Sequence, residues 1–325
     1  MASNTEEAAV DMSPFFILYK DGSINRLRPD VNAPLCDDPQ APVRSKDVVI
    51  QPETGVSARL FLPKITDPNR KLPLVIYIHG GAFCIGSPRS IVFHSFISTL
   101  VEKANFIAVS VDYRLAPEHP FSATYEDSWA AFEWVISHVN GKGSDSWLND
   151  HADFSKIFVG GESAGGNITN DVAVRAGVAN LDSSIKIIGI FLVHPYFGIE
   201  NDLLYKALNP TIADKYSEDP RLNPLIDPRL KSMACKKVLF FVAENDPLKK
   251  GAMDYYEGLK KSEWKGEVDI METKGEGHCF HFFNPMSEKA VAIVDKLVGF
   301  LKQGYLLGFI LRLFLTEFWF FSSYI

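Results

Sequence analysis

Short apolar runs recur along the chain, and longer amphipathic stretches separate them. The runs are nearly continuous in apolar residues rather than alternating with polar ones, which is typical of strands buried on both faces of a sheet. Six runs predict such strands: Leu74–Ile78, Phe106–Val111, Ile157–Val159, Ile187–Val193, Val238–Val242 and Val268–Met271. Five stretches predict helices: Ser90–Ala104, Tyr125–Val139, Gly166–Val178, Met253–Ser262 and Ser287–Lys302. The alternation predicts an α/β fold, with a mostly parallel sheet and helices on both faces.

The first 65 residues follow a different pattern. Phe15–Tyr19 and Ala58–Leu62 are apolar runs separated by turn-rich sequence. They predict leading antiparallel strands and an N-terminal cap over one end of the sheet. No linker, repeat or low-complexity tract divides residues 1–302, so we expect them to form a single domain with residues 1–65 as its cap segment.

The C-terminal residues 303–325 break the pattern, because they are nearly all apolar and carry only Arg312 and Glu317 as charges. Spanning a bilayer takes about 20 apolar residues, and an arginine near the centre costs ~2.5–3.5 kcal/mol. The segment is therefore a marginal membrane anchor. A final helix packed on the domain and an extension without a role are the other interpretations. Weak membrane association through this tail is the alternative to a cytoplasmic location.

Charge and cysteine content narrow the partners and the compartment. The net charge of -7 and the pI near 5.7 give no basic surface of the kind that binds nucleic acid, so we expect no such partner. The four cysteines show no CxxC or disulfide-framework spacing, which favours reduced thiols in a cytoplasmic protein. The acidic start of the chain lacks a secretory signal pattern. The oligomeric state is left open between a monomer and a homodimer.

The pentapeptide Gly161–Gly165 places a serine between a predicted strand and a predicted helix. A serine in so sharp a turn projects its hydroxyl above the sheet, and flanking glycines let the backbone close that tightly. Ser163 is therefore the candidate nucleophile.

Two further reactive side chains follow strand runs. Asp246 comes after Val238–Val242, and His278 comes after Val268–Met271. Reactive groups collect at the carboxyl ends of the strands in such a sheet, and the chain order Ser, Asp, His is the one this architecture uses. A serine hydroxyl needs an imidazole to take its proton, and the imidazole needs a carboxylate to orient it. We predict a catalytic triad of Ser163, Asp246 and His278.

Neighbouring residues compete for these roles. Glu244 is the rival carboxylate, and His281 is the rival base, which we assign to structure because His278 lies closer to the strand end. Cys279 is interpreted as buried filler, and His194 as part of the pocket wall.

Small residues after the strand Leu74–Ile78 predict an oxyanion hole. The backbone N–H groups of Gly80 and Gly81 and that of Ala164, which follows the nucleophile, are the candidate donors.

Taken together, these motifs resemble those of the plant carboxylesterases in the hormone-sensitive-lipase-like branch of the α/β-hydrolases. The resemblance runs from about Ser13 to about Leu301. It is carried by His79–Phe83, Asp112–Phe121, Gly161–Asn167, Ala243–Asp246 and Gly275–His278. It implies an α/β-hydrolase fold with an eight-stranded sheet, and hydrolysis through an acyl-enzyme on the predicted triad.

The resemblance also sets expectations for the loops. We expect Asp112 and Arg114 to form a charge-assisted pair beneath the oxyanion turn. The segment from His194 to Asn223 looks shorter than the family pattern and lacks an aromatic helix that would help to close the acyl pocket.

The predicted function is hydrolysis of small, uncharged acyl or aryl esters, without a metal or an organic cofactor. The candidate pocket residues are apolar and aromatic, which favours hydrophobic substrates; they are Phe83, Tyr125, Tyr196 and Phe280. One alternative is water elimination, as in the similar 2-hydroxyisoflavanone dehydratases, some of which carry threonine where this chain has Ser163. Another is hormone binding, as in gibberellin receptors, which resemble this family but have lost the catalytic histidine. This chain keeps His278, which favours an enzyme.

Overall fold

The computed structural model describes residues 7–28, 30–198, 202–208 and 217–302. The C-terminal residues 303–325, interpreted above as a marginal membrane anchor, lie outside the described residues. Within the described ranges, no helix combines the length and hydrophobicity needed to span a bilayer.

Eleven strands are described. Three form a small sheet: β1 (Ala8–Met12), β2 (Phe16–Tyr19) and β3 (Ile24–Arg26). Eight form the main sheet: β4 (Val43–Gln51), β5 (Val56–Pro63), β6 (Leu72–Ile78), β7 (Ile107–Asp112), β8 (Ala152–Glu162), β9 (Ile187–Val193), β10 (Lys237–Ala243) and β11 (Glu267–Thr273).

The described helices lie mostly between these strands. They are α1 (Ile91–Ala104), α2 (Phe121–Ile136), α3 (Ser146–His151), α4 (Ala164–Val178), α5 (Leu203–Leu208), α6 (Lys249–Lys261), α7 (Phe280–Phe283) and α8 (residues 288–302). Single 3-10 turns occupy Pro224–Ile226 and Leu230–Ser232.

The main sheet has the strand order β11-β10-β9-β8-β6-β7-β5-β4. The strands from β11 to β7 pair in parallel, whereas β5 pairs antiparallel with both β7 and β4. The prediction of an eight-stranded, mostly parallel sheet is therefore confirmed. All six predicted runs lie in its parallel part. Burial on both faces is wrong for Val268–Met271, because β11 is an edge strand whose residues are mostly exposed or half-buried.

Helices cover both faces of the main sheet. α1 and α8 pack on one face, and α2, α4 and α6 pack on the other. In β8, Ile157 and Val159 enter the larger core, while Phe158 between them enters the smaller one. Because neighbouring side chains of a strand alternate between faces, two covered faces require a continuous apolar run.

The two N-terminal runs form strands in different sheets. β2 belongs to the small antiparallel sheet, and β5 belongs to the main one. The small sheet is fixed beside the turn that follows β6. Arg26 Nε donates a hydrogen bond of 2.8 Å to the Cys84 carbonyl, and its guanidinium pairs with Glu118, while Phe16 is buried in the larger core.

Several helix boundaries differ from the pattern-based prediction. α2 begins at Phe121 rather than Tyr125. Pro120 is the residue directly before its first turn, with a φ of -53° and a ψ of 143°. α4 begins directly after Ser163. The sequence reading missed α3, which is too short to show a helical period and begins where the Asp145 carboxylate accepts the Trp147 N–H at 2.9 Å.

The predicted pair between Asp112 and Arg114 is wrong. Asp112 accepts hydrogen bonds from Arg89 Nη1 at 2.6 Å and from the Ser57 hydroxyl at 2.7 Å. Arg114 instead pairs with Asp127 on α2, through Nη2 at 2.7 Å and Nε at 2.9 Å. Asp112 is the last residue of β7 and faces β5, whereas the chain beyond it turns towards α2.

Substitution of Asp127 should destabilise the protein. The Asp127 carboxylate is buried and also accepts the Arg114 backbone N–H at 2.8 Å. Removal of one partner of such a pair leaves unsatisfied donors, so we expect Asp127→Ala to lower the free energy of unfolding by about 3 kcal/mol. Urea denaturation would measure this change.

Glu7→Ala is the control, because Glu7 and its partner Lys20 are 62% and 57% exposed. Exposed pairs contribute little, and we expect a change of at most about 0.5 kcal/mol. Equal destabilisation by the two substitutions would contradict the assignment of Asp127 as the buried anchor.

Candidate active site

Ser163 occupies a strained turn between β8 and α4. Its backbone has φ 53° and ψ -119°, a conformation that side-chain-bearing residues rarely adopt. Two backbone hydrogen bonds to β9 and the loop after it hold this conformation. The Ser163 N–H donates to the Val193 carbonyl at 2.9 Å, and the Ser163 carbonyl accepts the Tyr196 N–H at 3.0 Å.

The glycines that flank Ser163 are required by the close approach of the end of β6. A Cβ atom at Gly161 would lie 2.1 Å from the Ile78 carbonyl oxygen, and one at Gly165 would lie 1.9 Å from the same atom. Non-bonded contacts this short do not occur, so a side chain at either position would push the turn away from β6.

Ser163, His278 and Asp246 lie in one hydrogen-bonded chain. His278 Nε2 is 2.9 Å from Ser163 Oγ, and His278 Nδ1 is 2.8 Å from Asp246 Oδ2. Because a carboxylate only accepts, Nδ1 carries the proton and Nε2 is free to accept the serine proton. The Asp246 side chain is 1% exposed and that of His278 is 32% exposed, so the base faces the solvent side of the site.

Asp246 is also fixed from its other oxygen. Its Oδ1 accepts the Leu248 N–H at 2.8 Å, which orients the carboxylate in the loop after β10. The rival Glu244 accepts the Gly275 N–H at 2.8 Å instead. That bond lowers the pKa of Glu244, which supports the turn leading to the histidine rather than the histidine itself.

His281, the rival base, is buried and points into the smaller core. Its ring lies 5.2 Å from that of Phe96, and neither of its nitrogens has a hydrogen-bond partner among the described residues. Burial, followed by repulsion from His278, lowers the pKa of His281 to about 3. This placement agrees with its assignment to structure.

His194 is more than part of the pocket wall. Its Nδ1 accepts the backbone N–H of Cys279 at 3.0 Å and so holds the peptide directly after His278. Burial and then the two neighbouring histidines lower the pKa of His194 to about 3, so the ring is neutral and Nδ1 remains an acceptor. The sequence signal for this role is weak, because it consists only of a histidine at a strand end.

The structure corrects the predicted oxyanion donors. The N–H of Gly80 donates to Oε1 of Glu162, so it is not available to a substrate. No hydrogen bond within the described residues uses the N–H of Gly81, Ala82 or Ala164. Gly81 and Ala82 have φ values of 110° and 54°, and successive N–H groups in such turns form anion-binding concavities.

Glu162 is a buried residue whose role the sequence analysis missed. Besides the Gly80 N–H, its carboxylate accepts the Tyr77 hydroxyl through Oε2. Burial raises the pKa of Glu162 to about 8. A charged residue between Gly161 and Ser163, at the end of an apolar strand, was the signal available in the sequence.

Three of the four predicted pocket residues come together. The ring of Phe83 lies 5.4 Å from that of Tyr196 and 6.2 Å from that of Tyr125. Phe280 does not join them. It lies on α7, 6.0 Å from the His194 ring and in the core on the other face of the sheet.

Two residues that the sequence analysis did not select extend this aromatic cluster. Phe121 lies 4.8 Å from Phe83, and Tyr205 on α5 lies 5.5 Å from Phe121. The segment expected to lack an aromatic helix therefore has a short one, and Tyr205 is buried in the cluster. Residues 199–201 and 209–216 of this segment lie outside the described ranges.

A cavity of about 350 Å³ lies next to the loop after β10 that carries Asp246. It is bounded on one side by Pro247, which follows Asp246, and on another by Phe197, which follows Tyr196. The remaining lining residues are Gly198, Ser217, Leu222, Asn223, Pro224, Leu225, Lys250, Gly251, Asp254 and Tyr255.

One group of described residues has the composition of a metal site. A ring nitrogen of His194, a ring nitrogen of His278 and Sγ of Cys279 lie within 4.8 Å of one another. Both nitrogens of His278 and Nδ1 of His194 are already engaged in the hydrogen bonds given above, and burial raises the pKa of the Cys279 thiol. These engagements favour a proton-transfer site over a metal centre.

Comparison with known proteins shows similarity over most of the chain. A family model described as the alpha/beta hydrolase fold matches residues 75–282. Probable carboxylesterase 13 of Arabidopsis thaliana is 42% identical, over 91% of this chain and 98% of its own. Tuliposide A-converting enzyme 1, a chloroplastic protein of Tulipa gesneriana, is 40% identical over 91% of this chain and 79% of its own. The hyperthermophilic esterase from Pyrobaculum calidifontis has a TM-score of 0.62 at 26% identity, covering 81% of this chain and 86% of the esterase.

Substitution of Gly165 should misplace the nucleophile. The added methyl group of Gly165→Ala would collide with the Ile78 carbonyl. A displacement of about 1 Å costs on the order of 100-fold in reactivity, so we expect the rate of Ser163 labelling by a fluorophosphonate to fall by about that factor.

Gly299→Ala provides the comparison, because a Cβ there meets no atom within 4 Å. This change should leave labelling unaffected and stabilise α8 by about 0.5–1 kcal/mol. Normal labelling of Gly165→Ala would show that the turn has more room than the structure gives it.

The buried histidines should make the protein sensitive to acid. The folded-state pKa of His281 is about 3, whereas an unfolded histidine has a pKa of about 6.5. Between these values the unfolded state binds more protons, so stability falls as pH decreases from 6.5 towards 3. One histidine contributes a slope of up to about 1.4 kcal/mol per pH unit. Denaturation from pH 7 to 4 should therefore show a shallower loss of stability for His281→Phe than for wild type, and identical slopes would refute this account.

Proposed function

The chain belongs to the α/β-hydrolase family, in its plant carboxylesterase branch, and we propose that it is a serine esterase for small, uncharged acyl or aryl esters. The similar proteins include a probable carboxylesterase and an esterase, and the chain is a carboxylic ester hydrolase. The observation that carries the mechanism is the hydrogen-bonded chain from Asp246 through His278 to Ser163.

In the first half-reaction, Ser163 Oγ attacks the carbonyl carbon of the ester while His278 Nε2 takes the hydroxyl proton. Asp246 keeps the ring in the required orientation and stabilises its charged form. The tetrahedral intermediate then collapses, His278 returns the proton to the departing alkoxide, and the acyl group remains on Ser163.

In the second half-reaction, water replaces the alcohol. His278 removes a proton from the attacking water, and the resulting tetrahedral intermediate expels Ser163 as its leaving group. His278 protonates the serine oxygen, and the carboxylic acid departs. The exposure of His278 on the solvent side is consistent with delivery of this water.

The negative charge on the substrate oxygen is stabilised by the N–H groups of Gly81, Ala82 and Ala164. These donors have no other hydrogen bond within the described residues, whereas the N–H of Gly80 is occupied by Glu162. A preformed donor of this kind typically contributes about 3–4 kcal/mol to the transition state.

The aromatic cluster around Phe83 and Tyr196 selects the substrate. Phe83 follows the oxyanion turn, and the Tyr196 N–H donates a hydrogen bond to the Ser163 carbonyl, so both residues adjoin segments that form the site. Buried aromatic surfaces favour apolar acyl or aryl groups, which lose little hydration when they bind there.

The direct test uses hydrolysis of p-nitrophenyl butyrate at neutral pH. Wild-type protein should turn over the ester, and Ser163→Ala should lower kcat by about 10⁴-fold or more, because the nucleophile is absent. Mass spectrometry of wild-type protein quenched in acid during turnover should show a butyryl group on Ser163.

Ser184→Ala is the matched control. Ser184 is exposed, and its hydroxyl donates a hydrogen bond of 2.6 Å to the nearby Asp182, so its removal should not affect turnover. Retained hydrolysis in Ser163→Ala would contradict the proposed mechanism. A folded wild-type protein without esterase activity would contradict the proposed substrate class.

A further inference from the structure

Glu162 joins the two segments that form the oxyanion hole. It is the last residue of β8, directly before Ser163, and it is 1% exposed. Its Oε1 accepts the backbone N–H of Gly80, and its Oε2 accepts the Tyr77 hydroxyl. Both donors belong to β6 and the turn after it, so a single side chain connects the nucleophile elbow to the oxyanion turn.

The two segments touch at this point. A Cβ atom at Gly80 would lie 2.8 Å from the Glu162 carbonyl oxygen and 3.2 Å from Ser163 Cβ. Gly80 therefore packs against the elbow without an intervening side chain. A shift of this peptide would change the distance between the nucleophile and the N–H groups that follow Gly80.

Gly80 is held at both its carbonyl and its N–H group. Its carbonyl lies 2.7 Å from His79 Nδ1, and the His79 ring is stacked against Tyr113 at 4.4 Å. The Tyr113 hydroxyl donates to the His79 carbonyl at 2.8 Å. Only the carboxyl group of Glu162 holds the N–H side of Gly80 among the described residues, so this contact completes the fixation.

Burial of the Glu162 carboxyl group costs free energy, because the group loses its hydration. An apolar side chain of the same length would fill the position without loss of hydration. The acceptor oxygen facing Gly80 is what an apolar side chain lacks. The oxygen that faces Gly80 can accept this hydrogen bond in both the ionised and the protonated carboxyl group.

We propose that Glu162 is a positioning residue for the oxyanion hole, because its carboxyl oxygen fixes Gly80 and thereby sets where the N–H groups of Gly81 and Ala82 lie relative to Ser163. This inference rests on the proposed esterase function. Preorganised donors act on the transition state rather than on the bound ester, so loss of the contact lowers kcat and leaves KM nearly unchanged.

The test compares variants that keep or remove the acceptor oxygen. Glu162→Gln keeps it, and its kcat for p-nitrophenyl butyrate should stay within about threefold of wild type. Glu162→Ala and Glu162→Met remove it, and kcat should fall by about 30- to 100-fold with KM within about twofold. Met has nearly the length of Glu and suits a buried position, so it provides the same comparison if Glu162→Ala does not fold.

Two readouts separate positioning from general destabilisation. First, kcat is expressed per active site, titrated with a phosphonate that reacts irreversibly with Ser163. Second, inhibition by a boronic acid is measured, because its adduct with Ser163 places an oxygen where the ester oxygen becomes charged. The inhibition constant should rise by about the same factor as kcat/KM falls.

Asp171→Asn is the matched control. Asp171 is a half-buried carboxylate close to the nucleophile in sequence, and it lies on α4, beyond the first turn of the helix. This variant should keep both the titrated kcat and the boronate inhibition constant, whatever it does to stability.

The outcomes distinguish this inference from the proposed function. If wild type hydrolyses the ester and Glu162→Ala or Glu162→Met matches it per active site, the positioning role is refuted while the esterase function stands. A loss that appears entirely in KM, or an equal loss in Glu162→Gln, also refutes it. If wild type neither hydrolyses the ester nor binds the boronic acid, the esterase function fails, and the inference fails with it.

Discussion

The active site depends on how closely the turn at Ser163 approaches the end of β6. The Ile78 carbonyl leaves no room for a side chain at Gly161 or Gly165. The backbone of Ser163 takes up a strained conformation in this tight turn. Its backbone hydrogen bonds with Val193 and Tyr196 hold that conformation. The rest of the site follows from the resulting position of one hydroxyl group, since base, carboxylate and oxyanion donors must all be arranged around it.

The parallel sheet brings these groups together from distant parts of the sequence. Strands β6, β8, β9, β10 and β11 end at the same edge, and the segment after each strand supplies one part of the site. The sheet interior is apolar and covered on both faces, so reactive groups gather where the strands stop. Burial of Asp246 and partial exposure of His278 then assign separate roles to two side chains only 2.8 Å apart.

Sequence patterns predicted those features that depend on neighbouring residues. Apolar runs located the parallel strands, and the glycines around Ser163 located the elbow. Pairings between residues distant in the sequence were harder to predict, because they depend on which segments the sheet brings into contact. Arg114 bonds Asp127 rather than Asp112, and Glu162 occupies the N–H of Gly80. Phe280 was predicted to line the pocket as an aromatic residue, but α7 places it in the core on the opposite face of the sheet.

The elbow and the aromatic cluster are joined through main-chain atoms. Tyr196 is held to Ser163 by its backbone N–H, so the bond is the same whichever side chain stands at position 196. The position of Ser163 therefore does not depend on the side chain at position 196, which contributes to substrate selectivity. A wall residue can be exchanged to admit a bulkier or more polar ester while the serine stays in place. Such a scaffold suits diversification, since new specificities can arise by single substitutions without rebuilding the catalytic apparatus.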